Sequence, residues 1–320
     1  MQFDWKKKGR IVSIDDFEQE WMHTHTQLPI PYCLDNGNMR IYFNSRTNGV
    51  TRPTFVDIDM NTGKLVYVNE SPLLQPGRRG TFDDQGVMFS SVVCHERKMY
   101  MYYSGWNVPS NVRYHNSIGL AISEDGGKTF YKFSDGPILD RSVNIPIMAA
   151  GPYVIKKDNG WIMYFLSCSE WIEGKDKLEP VYDLHYALSD NGVDWRVPCD
   201  NVCIKGVNEA IAQPCVVEIN NQFHMWYSCR KVDDYRKNKE NSYRIGYAIS
   251  DDGIIWHRHD ECVGINVSDD GWDSEMIEYP YVVKHNNQLY MFYNGNGFGQ
   301  SGFGYAVAEI ASEEERVDDE

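Results

Sequence analysis

Ile41-Tyr42-Phe43 returns along this chain as Met101-Tyr102-Tyr103, Met163-Tyr164-Phe165, Met225-Trp226-Tyr227 and Met291-Phe292-Tyr293, at steps of 60, 62, 62 and 66 residues. Self-similarity at a fixed long period marks a repeat architecture, because one unit cannot bury its hydrophobic face alone. Around each triplet the same pattern recurs. In the fourth unit Pro214-Cys215-Val216-Val217-Glu218 reads as a strand, Asn220-Asn221 as a tight turn, Phe223 to Ser228 as a second strand and Arg244 to Ser250 as a third. Short runs of β-branched and aromatic residues between turn signals predict antiparallel strands rather than helices. Asp35-Asn36-Gly37 and Asp158-Asn159-Gly160 supply residues that accept positive φ at hairpin corners.

The third strands run into a second repeat: Ser123-Glu124-Asp125-Gly126-Gly127-Lys128-Thr129-Phe130, Ser189-Asp190-Asn191-Gly192-Val193-Asp194-Trp195 and Ser250-Asp251-Asp252-Gly253-Ile254-Ile255-Trp256. Ser, Asp and Asn bond their own backbone while Gly takes the left-handed conformation, so these segments are read as structural turns whose aromatic plugs the gap between sheets. Four-stranded units stacked radially make an all-β, five-bladed β-propeller. The fifth unit ends before an outer strand, and residues 10–14 are expected to supply it. No Pro/Gly/Ser-rich linker interrupts the chain, so residues 1–312 are expected to form one domain, with 313–320 an acidic tail.

The chain has 320 residues, 46 acidic against 31 Lys and Arg, and a formal charge of −15. That balance argues against nucleic acid or an anionic membrane surface as partner. There is no run of 18 apolar residues for a membrane span, and the opening Met-Gln-Phe-Asp-Trp-Lys-Lys-Lys lacks the apolar stretch of a secretory signal, so a cytoplasmic location is expected. The eight cysteines form neither a CxxC pair nor a disulfide framework and are expected mostly as small buried hydrophobes. No cofactor motif is visible. Gly295-Asn296-Gly297-Phe298-Gly299 lacks the strand-to-helix context of a phosphate-binding loop, and no metal site is assigned.

In a propeller the first strand of every blade lines the central channel, so residues at its start converge near the axis. Blade one offers His23, His25 and Gln27, blade two Asp83 and Asp84, blade three Gly151, blade four Glu209 and Gln213, and blade five Asp273, Glu275 and Glu278. Acids from three blades gathered at one mouth repel one another unless a cation, a proton or a function compensates them. Opposed carboxylates are what glycosidic cleavage needs, one protonated to give a proton to the leaving oxygen and one ionised to activate water or attack carbon. The catalytic candidates are therefore Asp84, Glu209 and Glu278, expected to face one cavity, with Asp83 and Glu275 beside them. His25, Arg46, Trp106, His115, Gln213, Arg230, Tyr279 and Asn294 are the candidates for holding a carbohydrate or a sugar-containing small molecule.

The five-fold unit, the Ser-Asp-Asx-Gly-x-x-Trp turns and the axial acids before a strand opening x-Pro-Tyr/Cys-Val-Val resemble the five-bladed glycoside hydrolase superfamily, which includes families 32, 43, 68 and 130. Gly80-Thr81-Phe82-Asp83-Asp84-Gln85-Gly86-Val87-Met88, Asn116-Ser117-Ile118-Gly119-Leu120-Ala121 and Gly271-Trp272-Asp273-Ser274-Glu275-Met276-Ile277-Glu278-Tyr279-Pro280 are similar to a subgroup of uncharacterised bacterial proteins associated with surface-polysaccharide biosynthesis. A related propeller is similar to the amino-terminal part of plant inositolphosphorylceramide glucosaminyltransferases. The resemblance spans residues 9 to 310. It implies an inverting acid/base glycosidase, with Asp83 or Asp84 as the acid of blade two and Glu209, desolvated by Ala210, Ile211 and Ala212, as general acid. The chain departs from the pattern in blade one, where His23-Thr24-His25-Thr26 stands without an Asp-Pro, so Glu275 or Glu278 would have to act as base. Family 130 includes phosphorylases that hold inorganic phosphate with basic side chains, and Arg46, Arg52, Arg78, Arg79, Arg113, His115 and Arg141 fall on loops after early strands. The expected function is cleavage of a glycosidic bond in the axial pocket, in metabolism of a surface-glycan precursor. The alternatives are a glycoside phosphorylase and a non-catalytic propeller that binds a glycan or sugar nucleotide.

Overall fold

The computed structural model describes residues 3–174 and 178–310; the expected tail at 313–320 lies outside them. Five four-stranded antiparallel units follow one another. The first holds β2 (Thr24–Cys33), β3 (Met39–Thr47), β4 (Val50–Asp59) and β5 (Lys64–Val68), and the second β6 (Gly86–His95), β7 (Lys98–Asn107), β8 (His115–Ser123) and β9 (Tyr131–Lys132). The third holds β10 (Ala149–Lys157), β11 (Gly160–Ile172), β12 (Glu179–Ser189) and β13 (Val202–Ile204). The fourth holds β14 (Glu209–Ile219), β15 (Gln222–Lys231), β16 (Arg244–Ser250) and β17 (His257–Arg258). The fifth combines β18 (Glu278–His285), β19 (Gln288–Asn294) and β20 (Phe303–Glu309) with β1 (Lys6–Val12) from the other end of the chain, in the order β1-β20-β19-β18. A single parallel bridge, Thr51 to Gly86, joins the first two units at their rim. The first strands touch in the cyclic order β2, β6, β10, β14, β18 and back to β2, which closes the β-propeller.

The closing strand lies slightly earlier than residues 10–14. Lys6 pairs Val307 and Val12 pairs Phe303, with register breaks on either side of Arg10. Exposed and half-buried residues alternate through Lys6–Val12, so the period is that of an edge strand, disguised by three lysines. Ser13 then leaves the ladder because its backbone N–H and hydroxyl both donate to Asp16, capping a short 3-10 turn over Ile14–Asp16.

Two polar ties join neighbouring units, one from the middle residue of the repeated triplet and one from the residue that follows it. Tyr42, Tyr102 and Tyr164 each donate a hydroxyl to the carbonyl of a turn glycine in the next unit, Gly127, Gly192 and Gly253, at 2.8–2.9 Å. Those turns are built as expected, since Ser123, Ser189 and Ser250 accept from the N–H of the same glycines. Phe130, Trp195 and Trp256 stand edge-on to Tyr42, Tyr102 and Tyr164. Among the described residues the fifth unit shows no such turn. There Phe3 and Trp5 pack edge-on to Trp226 in its place.

The second tie comes from the residue after the triplet. Asn44 Oδ1 accepts from the Phe89 N–H, Ser104 Oγ from Gly151, Ser228 Oγ from Tyr279 and Asn294 Oδ1 from Leu28, so four second strands each grip the first strand of the next unit. Unit three has Leu166 there. All eight cysteines are free, as the spacing implies, but only Cys168, Cys203 and Cys215 are buried; Cys33, Cys94 and Cys199 are exposed because they lie on strand ends and loops.

Gly126 and Gly127 both have positive φ, and a Cβ on Gly127 would come within 1.9 Å of the Tyr42 hydroxyl, whereas one on Gly126 meets nothing within 4 Å. Gly126→Ala should cost only the left-handed backbone term, ~1–2 kcal/mol. Gly127→Ala should cost a further ~1–3 kcal/mol for the clash. Equal midpoints for the two variants in urea unfolding would rule out the Tyr42 seam as a source of stability. Deleting residues 3–12 should uncover the β20 edge and the Trp226 ring together and lower Tm by about 10 °C or more; thermal unfolding at the native value would rule out ring closure by β1.

Candidate active site at the propeller axis

All five first strands carry a register break near their start, and in four the break falls at an X-Pro pair. Leu28, Gly151, Gln213 and Tyr279 take φ of 59°, 58°, 48° and 56°, each before a proline. A bulge in the left-handed conformation re-aims its side chain, and these four residues line one cavity of about 480 Å³ together with His25, Gln27, Met88 and Ala212. Residues from every unit therefore meet at the axis. The x-Pro signal in the sequence marks the bulges.

The wall of the cavity is cationic and phenolic. Arg46, Arg113 and Arg236 line it, as do Tyr114, Tyr182, Tyr243 and Tyr235. Arg46 reaches in from the end of β3, donates 2.9 Å to Gln27 Oε1 and lies 5.9 Å from the Trp106 ring, while its Nε is buried without a partner. Burial lowers its pKa, as expected for a guanidinium without a paired carboxylate. Arg113 and Arg236, from loops of units two and four, converge on Glu179 at the start of β12, at 2.7 and 3.1 Å. The Tyr235 hydroxyl donates to the same carboxylate at 2.7 Å. Two guanidiniums and a phenol thus hold one carboxylate, whose pKa they lower against the effect of burial.

Glu278 sits directly behind this wall, fully buried, with neither carboxyl oxygen in an aligned hydrogen bond. Burial pushes its pKa well above the ordinary carboxylate range, and the Tyr279 hydroxyl, Arg236, Arg46 and Arg230 only partly oppose that. Burial thus favours the protonated form of Glu278. Burial, and next the Arg46 charge, push His25 down to about 4, so its imidazole is neutral. The buried Trp106 Nε1, Arg113 Nε and Asn116 Oδ1 also have no partner in the protein. Unpaired buried polar atoms concentrated around one cavity are what a bound polar ligand would satisfy.

The expected trio of acids is not assembled. None of the three is among the residues that line the axial cavity: Glu278 is buried behind its wall, Asp84 lines an adjoining cleft, and Glu209 is held by Lys231 and Arg258, both at 3.0 Å. A carboxylate clasped by two cations is not the desolvated acid that Ala210, Ile211 and Ala212 were expected to create. Glu275 is exposed on its loop. Asp83 is buried as a strut, paired with Lys132 at 2.6 Å and accepting the Tyr103 hydroxyl at 3.1 Å. Asp273 repeats that arrangement with Lys7 and Tyr293.

Of the expected binding residues, His25, Arg46, Trp106, Gln213 and Tyr279 line the cavity and His115 lines the cleft. Arg230 lies behind the wall, stacked 3.6 Å from the Tyr235 ring and donating to Pro180 O, and Asn294 is spent on backbone ties to Leu28, Thr26 and Gly302. His23 is exposed, and the positive φ of His25 breaks the regular strand that a shared His-x-His face would need. Arg236, Glu179 and the four tyrosines were not found from sequence. Tyr235 and Arg236 lie in a charged loop that reads as solvated, and only the ring brings it over the axis. Among the described residues, no cluster of three His, Cys, Asp or Glu could hold a metal ion, and no helix is long and apolar enough to cross a membrane.

No family model matches the chain. Two uncharacterised proteins of Mycobacterium tuberculosis, from strains CDC 1551 / Oshkosh and ATCC 25618 / H37Rv, are each 37% identical to it over 311 residues, covering 95% of this chain and 99% of their own. The beta-1,2-mannobiose phosphorylase of Thermoanaerobacter sp. strain X514 is 30% identical over 113 residues, 33% of this chain and 36% of the phosphorylase. Among solved structures, a glycoside hydrolase superposes with a TM-score of 0.72 at 16% identity, covering 96% of this chain and 91% of the other. A structure described under the GH130 family of mannoside phosphorylases, which contains glycoside hydrolases that target β-1,2 mannosidic linkages in Candida mannan, superposes with a TM-score of 0.69 at 14% identity, covering 96% and 94%. The chain therefore belongs, over nearly its whole length, to the family of the two mycobacterial proteins, built on the β-propeller fold of these glycoside hydrolases and mannoside phosphorylases.

Proposed function

We propose that the axial cavity cleaves a glycosidic bond by phosphorolysis, with inorganic phosphate as the attacking group. The observation that carries this is a fully buried Glu278, its carboxyl oxygens without a hydrogen-bond partner, behind a cavity wall that holds the guanidiniums of Arg46, Arg113 and Arg236. Hydrolysis by inversion needs a second, ionised carboxylate to activate water, and among the described residues none lines the cavity; the nearby Glu179 is committed to Arg113, Arg236 and Tyr235. Phosphate is already an anion and needs no base. Guanidinium forks match its oxygens. The partial likeness to a mannobiose phosphorylase points the same way.

In the proposed reaction HPO₄²⁻, held by the arginines, attacks the anomeric carbon as the bond to the leaving oxygen breaks. The proton passes from Glu278 through the Tyr279 hydroxyl on the cavity wall to that oxygen. The products are a sugar phosphate monoanion, an alcohol and the Glu278 carboxylate. The sugar phosphate then ionises, and its proton restores the acid.

The test is incubation with β-1,2-mannobiose and a panel of other disaccharides, with and without phosphate. A sugar 1-phosphate should form only when phosphate is present, and free sugars appearing at the same rate without it would overturn the proposal. Glu278→Gln should lower kcat by ~10²–10⁴-fold while phosphate affinity stays within a few fold, because the amide keeps the shape without the proton. Glu278 also sets a pH dependence. Its native pKa lies above the unfolded value, so its contribution to stability is complete below the ordinary pKa of 4.5 and is lost as the pH rises through the raised native value. Unfolding free energy measured along that alkaline rise should decline less steeply in Glu278→Gln than in the parent, and parallel profiles would remove Glu278 as the buried titrating group.

A further inference from the structure

Beside the axial cavity, between units two and three, lies a larger cleft of about 800 Å³. Its walls come from the β7–β8 loop, with Asn107 and Asn111, from the segment before β10, with Arg141, and from the far end of β11, with Trp171. Tyr114 lines both spaces, with its hydroxyl bonded to Tyr182, so one phenol ring forms the partition between them. Trp171 packs edge-to-face with that ring at 5.9 Å and remains half-buried.

The two spaces differ in charge. The axial cavity is lined by three guanidiniums, whereas the cleft has one cation, Arg141, and one anion, Asp84. His115 also lines the cleft. Burial, more than Arg141, lowers its pKa, and its Nε2 lies 3.1 Å from the Ile147 carbonyl, so the ring is neutral and Nδ1 is left as an acceptor. Asp84 accepts from the Gly80 N–H through Oδ2, while its Oδ1 is buried with no partner. Amides, a neutral imidazole, a spare carboxylate oxygen and an indole at near-zero net charge suit hydroxyl groups and sugar C–H faces rather than a second anion.

We infer that this cleft is a second binding site, which takes the neutral sugar residues of a longer oligosaccharide whose terminal linkage lies in the axial cavity. The inference rests on the proposed cleavage of a glycosidic bond at the axis. Tyr114, shared by both spaces, then lies beside the boundary between the sugar attacked and the rest of the chain. The enzyme would accordingly prefer oligomers to disaccharides.

The experiment is calorimetric titration of the whole protein, in saturating inorganic phosphate and without it, with β-1,2-linked mannobiose and mannotetraose and with gluco- and galacto-oligosaccharides of the same two lengths. For at least one series the tetramer should bind about tenfold or more tightly than the dimer, and the ratio should fall toward one in Trp171→Ala and in Asn111→Ala. Asn111 is an exposed loop residue, so its variant keeps the test independent of folding. Equal affinity for dimer and tetramer in every series, a length gain that survives both variants, or no binding of any oligomer would each overturn the site. Turnover separates the two proposals: a length gain in binding with no cleavage of any oligomer removes the reaction and keeps the cleft, and phosphorolysis without a length gain does the reverse.

Discussion

At four of the five seams between neighbouring units, the first strand is fixed by a hydrogen bond from its backbone N–H to the polar residue that follows the aromatic triplet of the previous unit. Asn44, Ser104, Ser228 and Asn294 make it at 2.7–2.8 Å. A β-bulge leaves its N–H groups outside the ladder, and such a group buried without a partner costs roughly 1–3 kcal/mol. The neighbouring side chain removes that cost and at the same time fixes where the bulge sits relative to the next sheet. The bulges, in turn, carry the residues that line the axis. At those four seams one interaction thus both ties neighbouring units and sets where the bulge places its side chain in the cavity.

The cavity is unusual for its protein. A chain of formal charge −15 collects Arg46, Arg113 and Arg236 around one space and buries Glu278 behind them, where burial raises its pKa. Long-range repulsion would keep anions away from such a chain, so anion binding here would have to come from short, directed contacts in a partly desolvated site, where charge-assisted hydrogen bonds are strongest. Glu179 is the element that makes this possible. By accepting from Arg113, Arg236 and Tyr235 it draws two loops from different units into one wall. A single acidic side chain therefore organises cations that would otherwise repel.

The aspartates of units two and five show the opposite use of the same residue type. Asp83 and Asp273 each take a tyrosine hydroxyl from the triplet and a lysine amine, and so brace the sheet rather than face the ligand. Before folding, nothing distinguishes these aspartates from catalytic acids. Asp83 and Asp84 are adjacent in sequence, yet one is a buried strut and the other lines an open cleft.

Period and local chemistry suffice for the fold. The triplet repeat and the Ser-Asx-Gly turns are short-range patterns whose geometry follows from strand pleating and left-handed glycine, so the repeated units and those turns were legible in the residues, whereas the bulges were not and the first strand of unit four begins at Glu209 rather than Pro214. The closing strand was legible in its role and displaced by a few residues, because lysines mask an edge strand's alternation. The cavity was legible only in part. Residues carried by the first strands, His25, Gln213, Glu278 and Tyr279, could be placed because the repeat places them. The loops could not, since Arg113, Glu179 and Arg236 belong to three units and meet only when the ring is closed, and Glu209 is withdrawn by Lys231 and Arg258 at contacts no spacing encodes. Local sequence determines strand and turn because their forces act within a few residues. Which charges meet, and which carboxyl is stripped of water, is decided by tertiary structure, because desolvation and ion pairing depend on neighbours brought together from across the chain.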